Sequence, residues 1–266
     1  MILFDSHAHY DDGRFESEFE GGALGALRAA RDAGVMYVVN SGSCLRTSKN
    51  SFALAELSDT DETLPEIYVS AGIHPSETDS YESLDSAMAE LEAMLSHPRC
   101  VAVGEIGLDY HYPDTDKAAQ HELFEAQLAL AKKHGLPVVI HSRDAHGDTF
   151  DILKKHRGEK IMLHCYSGSA EMARQYAEMG FSFSFGGVLT FKNAAKTKEA
   201  ALAVPRESLL LETDCPYLAP VPHRGKLNYS GYMSHTAAVL AELLGITADE
   251  AAYLASENAK AFFGIN

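Results

Sequence analysis

The sequence predicts an α/β chain folded as a (β/α)8 TIM barrel, and three observations carry that expectation. Apolar runs of four to eight residues alternate with amphipathic stretches of helical length. The runs are apolar on both faces, as strands must be when helices cover a parallel sheet from both sides. Eight such runs can be counted, the number that closes this barrel. A doubly wound open sheet is the competing architecture, but no G-x-G-x-x-G follows the first run.

Taken in order, the first strand is expected over Ile2–His7, followed by a helix over Ala23–Ala33 that ends at Gly34. Met36–Asn40 and Ile67–Ile73 supply the second and third strands, and Leu84–Leu95 the next helix. Cys100–Glu105 is the fourth strand, and Ala118–His134 is a long helix closed by Gly135. Val138–His141 and Lys160–Cys165 follow as strands, then a helix over Ala170–Met179 ended by Gly180. Phe181–Gly186 and Leu209–Thr213 complete the eight, and two helices, Met233–Leu244 and Ala248–Phe262, finish the chain. The three glycines stand where a left-handed helix cap is easily adopted.

At 266 residues and 46% hydrophobic, with no linker or low-complexity run, the chain is expected to form one domain over residues 1–266. The opening "MILFDSH" carries no basic leader pattern and no stretch approaches 18 apolar residues, so a soluble, cytoplasmic protein with no membrane association is expected. Cys44, Cys100, Cys165 and Cys215 lie at least 50 residues apart, which argues against a disulfide framework or a thiolate metal site. A net charge of −16 argues against coating nucleic acid by charge alone, although a local basic rim remains compatible with it.

The polar residues at the strand ends point to the chemistry. In "LFDSHAHY", His7 and His9 stand at alternate positions and so emerge on one face of a strand. His74 follows the third strand in "AGIHP", Glu105 ends the fourth in "GEIGLDY", and His141 and His164 end the fifth and sixth. Glu212 and Asp214 follow the eighth in "LETDCPYL". A barrel gathers these ends into one ring, where imidazole and carboxylate without thiolate form a ligand set suited to two divalent metal ions. His97, His121, His134, His156 and His235 fall on other segments and read as ordinary surface or packing residues.

Together, "DSHAHYD", "AGIHP", "GEIGLDY", "PVVIHSRDA", "LHCYSGS", "FGGVLTFK", "ETDCPYLAP" and "HRGKLN" resemble the TatD family of metal-dependent deoxyribonucleases, among the amidohydrolase-like barrels. The resemblance spans the chain, including Gln120, Phe124 and Gln127 in one helix and "ENAKAFFG" near the end. It implies a metal site built from His7, His9, Glu105, His141, His164 and Asp214, and hydrolysis of phosphodiester bonds in DNA. One departure stands at Tyr229-Ser230, where the family usually has Glu-Pro.

The residue types assign roles within that set. Glu105 has two oxygens and can bridge two cations, of which Mg, Mn and Zn are the candidates. His7, His9 and Asp214 complete one position, with His141 and His164 on the other. Asp214 is expected to double as the base that takes a proton from water, with Glu212 orienting a ligand from behind. His74, Arg143, Arg224 and Lys226 are the expected substrate contacts, Lys192 is a weaker one, and Tyr166 and Tyr217 offer rings for an unpaired base. The expected substrate is DNA, taken at single-stranded ends by an exonuclease, with no obligate protein partner indicated. The alternative is a small-molecule amidohydrolase acting on an amide, lactone or related substrate through the same two metals.

Overall fold

The computed structural model describes residues 1–265, so Asn266, the last position of the expected domain, lies outside the described residues. Eight parallel strands follow one another around one sheet in chain order: β1 (Leu3–Ala8), β2 (Val35–Ser41), β3 (Glu66–Ala71), β4 (Cys100–Asp109), β5 (Val138–Arg143), β6 (Ile161–Leu163), β7 (Ser182–Phe185) and β8 (Leu209–Leu211). The ring closes where Asp214 N donates to His7 O at 3.0 Å and His9 N donates to Cys215 O at 2.8 Å, just past the end of β8. This is the expected (β/α)8 TIM barrel.

Among the described residues ten α-helices surround or cap the strands: α1 (Arg14–Glu18), α2 (Gly22–Asp32), α3 (Leu45–Ser58), α4 (Leu84–Met94), α5 (Lys117–His134), α6 (His146–Leu153), α7 (Ala170–Glu178), α8 (Ala195–Ala203), α9 (Met233–Leu244) and α10 (Ala248–Phe263). Gly34, Gly135 and Gly180 all have positive φ, as the expected caps require. Helices α1, α3, α6 and α8 had no bounds assigned from the sequence, although the barrel pattern calls for a helix after each strand. The α3 segment carries Ser48, Asn50, Ser51 and Ser58, residues that blur its apolar stripe, and a capping box at Cys44–Thr47 together with packing against β3 secures it.

Two layers of core follow from the alternation of side chains along the strands. Leu3, Val38, Val69, Val103 and Ile140 pack outward against helical residues such as Leu27, Phe124 and Leu240. Alternate residues, Phe4, Val39, Ala102, Val139, Met162 and Leu210, form a separate cluster inside the barrel. Phe262 and Phe263 of α10 plug that cluster from below, with Phe263 stacked on Phe4 at 6.0 Å between ring centroids. The opposite, C-terminal end stays open. Among the described residues no helix is long and apolar enough to cross a membrane.

Strand ends differ from expectation in one consequential way. β4 continues four residues beyond Glu105 and pairs with β5 as far as Asp109↔Arg143, because every residue of the strand is buried, the two carboxylates included. The expected break at the first charged residue therefore does not occur.

Candidate metal centre at the barrel mouth

The six candidate ligands meet at the open end of the barrel. Glu105, nearly fully buried, divides its carboxylate between two groups. Oε2 lies 3.3 Å from His7 Nε2 and 3.5 Å from His9 Nε2. Oε1 lies 2.6 Å from His141 Nδ1 and 2.7 Å from His164 Nε2. Asp214 joins the first group, its Oδ1 standing 3.5 Å from His9 Nε2 and 3.8 Å from His7 Nε2.

Each imidazole is held from behind. His7 Nδ1 contacts Ser41 Oγ at 3.0 Å, and His9 Nδ1 contacts the Ser41 carbonyl at 2.9 Å. His141 Nε2 lies 3.3 Å from Asp109 Oδ2. His164 Nδ1 lies 3.6 Å from Glu212 Oε1, and both of those buried atoms lack a hydrogen-bond partner, while Glu212 Oε2 accepts from Ser184 Oγ. This placement agrees with Glu212 acting behind a ligand, and it adds Asp109, a carboxylate that sequence reasoning passed over although it sits inside the "GEIGLDY" motif. Asp5 is likewise buried, accepting from Thr213 N, Thr213 Oγ1 and Ser230 Oγ at 2.9, 2.6 and 2.6 Å. Ser230, at the Tyr229-Ser230 departure, thereby ties the rim to β1 and to the residue before Asp214.

Electrostatics show what the cluster lacks. Burial alone would raise Glu105, but the surrounding imidazoles of His164, His74, His7 and His141 hold it well below the usual carboxylate range. Burial would lower His9, yet Asp214 and Glu105 push it up to about 9. His7 is lowered by burial and by His164. His7 Nε2 and His9 Nε2 face each other at 3.0 Å, where only one proton can lie between them. Imidazole nitrogens and carboxylate oxygens converging this closely are a donor set that a cation satisfies, so the residues fit divalent metal. Groups able to hold an ion include His7–His9–Glu105, His7–His164–Asp214 and Glu105–His141–His164.

Above the cluster opens a cavity of about 890 Å³. Its lining has six carboxylates against two arginines, Arg46 and Arg143, an excess of four negative charges that two divalent cations would cancel. His74 lines it too. Its Nδ1 accepts from Ser76 N at 3.1 Å, which leaves the ring proton on Nε2, and burial with nearby His141 pushes its pKa down to about 3. His74 is therefore a neutral donor, 3.6 Å from Glu105 Oε1. Arg224 and Lys226 are not among the cavity-lining residues, and the Arg224 guanidinium instead rests 3.8 Å from the Phe191 ring centroid. Lys192 is also outside the lining. Tyr166 is buried, donates to Ser169 O at 2.9 Å and packs on Phe183, so its ring is closed to a base, whereas Tyr217 stands in the cavity. Arg46, missed in the sequence, follows β2 with nothing but its position to mark it.

His97, His121, His134, His156 and His235 stay outside the cluster, bonded to Glu56, Tyr110, Glu92, Glu159 and His223 respectively. Backbone strain concentrates at the mouth. The four non-glycine residues with positive φ among those described, Asp144, Cys165, Asp214 and Leu218, all follow the C-terminal ends of strands, where such strain marks functional sites.

Comparison with known proteins places this chain among relatives. The family described as TatD related DNase matches residues 4–264. The uncharacterized metal-dependent hydrolase YabD of Bacillus subtilis (strain 168) is 39% identical over 267 residues, covering 100% of both chains. The uncharacterized metal-dependent hydrolase TatD of Mycobacterium tuberculosis is 34% identical, covering 99% of this chain and 98% of its own. The crystal structure of the TatD homologue YjjV from Escherichia coli superposes with a TM-score of 0.87 at 30% identity, covering 99% and 98% of the two chains. With the match running from β1 to the end of α10, the chain belongs to the TatD family of metal-dependent hydrolases.

Proposed function

We propose that this family member hydrolyses phosphodiester bonds of DNA and works from single-stranded ends. The observation that carries the reading is the divided carboxylate of Glu105, with one histidine pair on each oxygen, beneath a cavity whose two arginines have no ion-pair partner among the described residues. His7, His9, Glu105 and Asp214 would hold one divalent cation, and Glu105, His141 and His164 the other. Such cations, when bound, neutralise phosphate charge and acidify water. Asp214 accepts the proton of the attacking water, His74 donates Nε2–H to a phosphate oxygen, and Arg46 and Arg143 grip flanking phosphates with paired N–H groups. Asp109 and Glu212 orient His141 and His164. A cavity with two arginines supports capture of a strand end, since a duplex-binding groove needs a longer basic track.

The excess of carboxylates in the lining favours a second reading, a small uncharged amide or lactone as substrate. One experiment separates the two: end-labelled single- and double-stranded DNA incubated with the purified protein, after EDTA and after add-back of Mg, Mn or Zn. Metal-dependent shortening of single strands from an end is expected. No shortening under any metal, with turnover of a small amide or lactone, overturns the DNA reading.

A further inference from the structure

Tyr217 is half exposed in the cavity and yet fixed on every other side. Its hydroxyl donates to Asp12 Oδ2 at 3.1 Å. Asp12 in turn holds Arg14 in a fork, accepting from Nε at 3.1 Å and from a terminal nitrogen at 2.9 Å. The guanidinium so held lies 4.2 Å from the Tyr217 ring centroid, covering one face. Arg14 is not among the cavity-lining residues, so it seals the far face and leaves the near one to the cavity. The backbone is pinned as well: Tyr217 N donates to Asp214 O at 2.9 Å, and Tyr217 O accepts from Asn228 Nδ2 at 2.7 Å. The next residue, Leu218, takes φ 53°, a left-handed conformation unfavourable for a branched side chain. The ring edge approaches His9, with centroids 6.3 Å apart and planes at 79°.

A tyrosine that served only to staple the rim would be expected to bury its ring. This one presents a flat, immobilised face beside the metal ligands, backed by a cation. We propose that Tyr217, clamped by Asp12 and Arg14, is the platform on which the nucleobase next to the scissile bond stacks, with Arg14 as a positioning residue. The proposal rests on the DNA reading for its substrate class. It implies that a nucleotide lacking its base loses this contact while keeping its phosphate contacts, and that any base is accepted, because stacking uses the π face rather than base-edge hydrogen bonds.

The test measures binding of two probes to the metal-loaded protein by calorimetry: 2′-deoxyadenosine 5′-monophosphate and 2-deoxyribose 5-phosphate. Tyr217→Ala is expected to weaken the first by roughly 5- to 150-fold, the range for loss of one base–aromatic stack, and to leave the second unchanged. Tyr217→Phe is expected to restore most of the difference between the probes, and Arg14→Gln to give an intermediate loss confined to the base-bearing probe. If Tyr217→Ala fails to fold, Tyr217→Leu fills the same space without a π face. Equal losses on both probes, or none on the nucleotide, overturn the platform. Because binding is read without turnover, a wild-type protein that cleaves no DNA overturns the function reading while these measurements still decide the platform.

Discussion

Glu105 and Asp214 have similar chemistry, but their oxygens point to different neighbours, and the proposed reaction gives them different work. Glu105 stands between both histidine pairs, so Glu105→Gln is expected to lower metal content and turnover together, as read by metal analysis beside rates on a single-stranded oligonucleotide. Asp214 lies nearest the His7–His9 side, its Oδ1 3.5 Å from His9 Nε2 and 3.8 Å from His7 Nε2. Asp214→Asn is expected to keep the metal on the His141–His164 side and lose turnover by about 10²–10⁴-fold, the scale of a missing general base. Near wild-type turnover of that variant at saturating metal would show that Asp214 is not the base. Asp109 acts one step removed, and Asp109→Ala, which frees His141 Nε2, is expected to weaken metal affinity about 10–100-fold. A titration giving wild-type affinity would remove Asp109 from the site. Arg46→Ala and Arg143→Ala are expected to raise KM for DNA with metal content unchanged, and unchanged KM in both would separate these guanidiniums from phosphate.

Helix α5 shows how an element far from the chemistry sets the site. Its buried Gln127 accepts from Ile73 N at 2.8 Å and donates to Ile73 O at 2.9 Å, satisfying both backbone groups of a residue beyond the end of β3. Gln120 does the same for Asp109, with N at 2.9 Å and O at 3.0 Å, and also reaches Pro75 O. The side-chain amides thus bond backbone groups of Ile73, past the end of β3, and of Asp109, at the end of β4, and they fix both His74 and Asp109 in place. Gln127→Ala leaves two buried groups unpaired at about 1–3 kcal/mol each, so a loss of about 2–6 kcal/mol is expected in denaturant unfolding. A change under 1 kcal/mol would mean that water replaces the amide. Where β4 and β5 run closest, a Cβ at Gly107 would come within 1.9 Å of His141 O, so no side chain fits there without moving a candidate ligand.

The whole molecule carries 38 acidic and 22 basic residues, and its cavity is acidic before cations enter. Under the DNA reading, attraction of substrate is expected to be local rather than a property of the overall field. With two arginines as phosphate partners, and about 0.7 counterions released per phosphate neutralised on a single strand, log(kcat/KM) against log salt is expected to fall with a slope of about −1.4. A slope of about −4 or steeper would reveal a longer basic track. Below the site, the α10 plug seals the barrel interior, so the open end alone admits substrate.

The barrel and six of the candidate ligands were legible because a parallel strand buried on both faces must be an unbroken apolar run, and polar residues at its end have one place to go. His7, His9, Glu105, His141, His164 and Asp214 meet as that rule requires. What lay beyond it needed distances in space. Asp109 was hidden because a charged residue reads as the end of a strand, whereas here β4 buries two carboxylates and continues. Tyr166 and Tyr217 are the same residue type at two strand-end loops, and only packing decides that Phe183 and Ser169 take one while Asp12 and Arg14 hold the other in the open. Arg224 stood out in the sequence as a substrate contact and Arg46 did not, yet Arg46 lines the cavity and Arg224 lies on Phe191. A sequence lists charges and rings in order, but the pairing of each with its neighbours in space is a property of packing, and that pairing decides which of them remain free to meet a substrate.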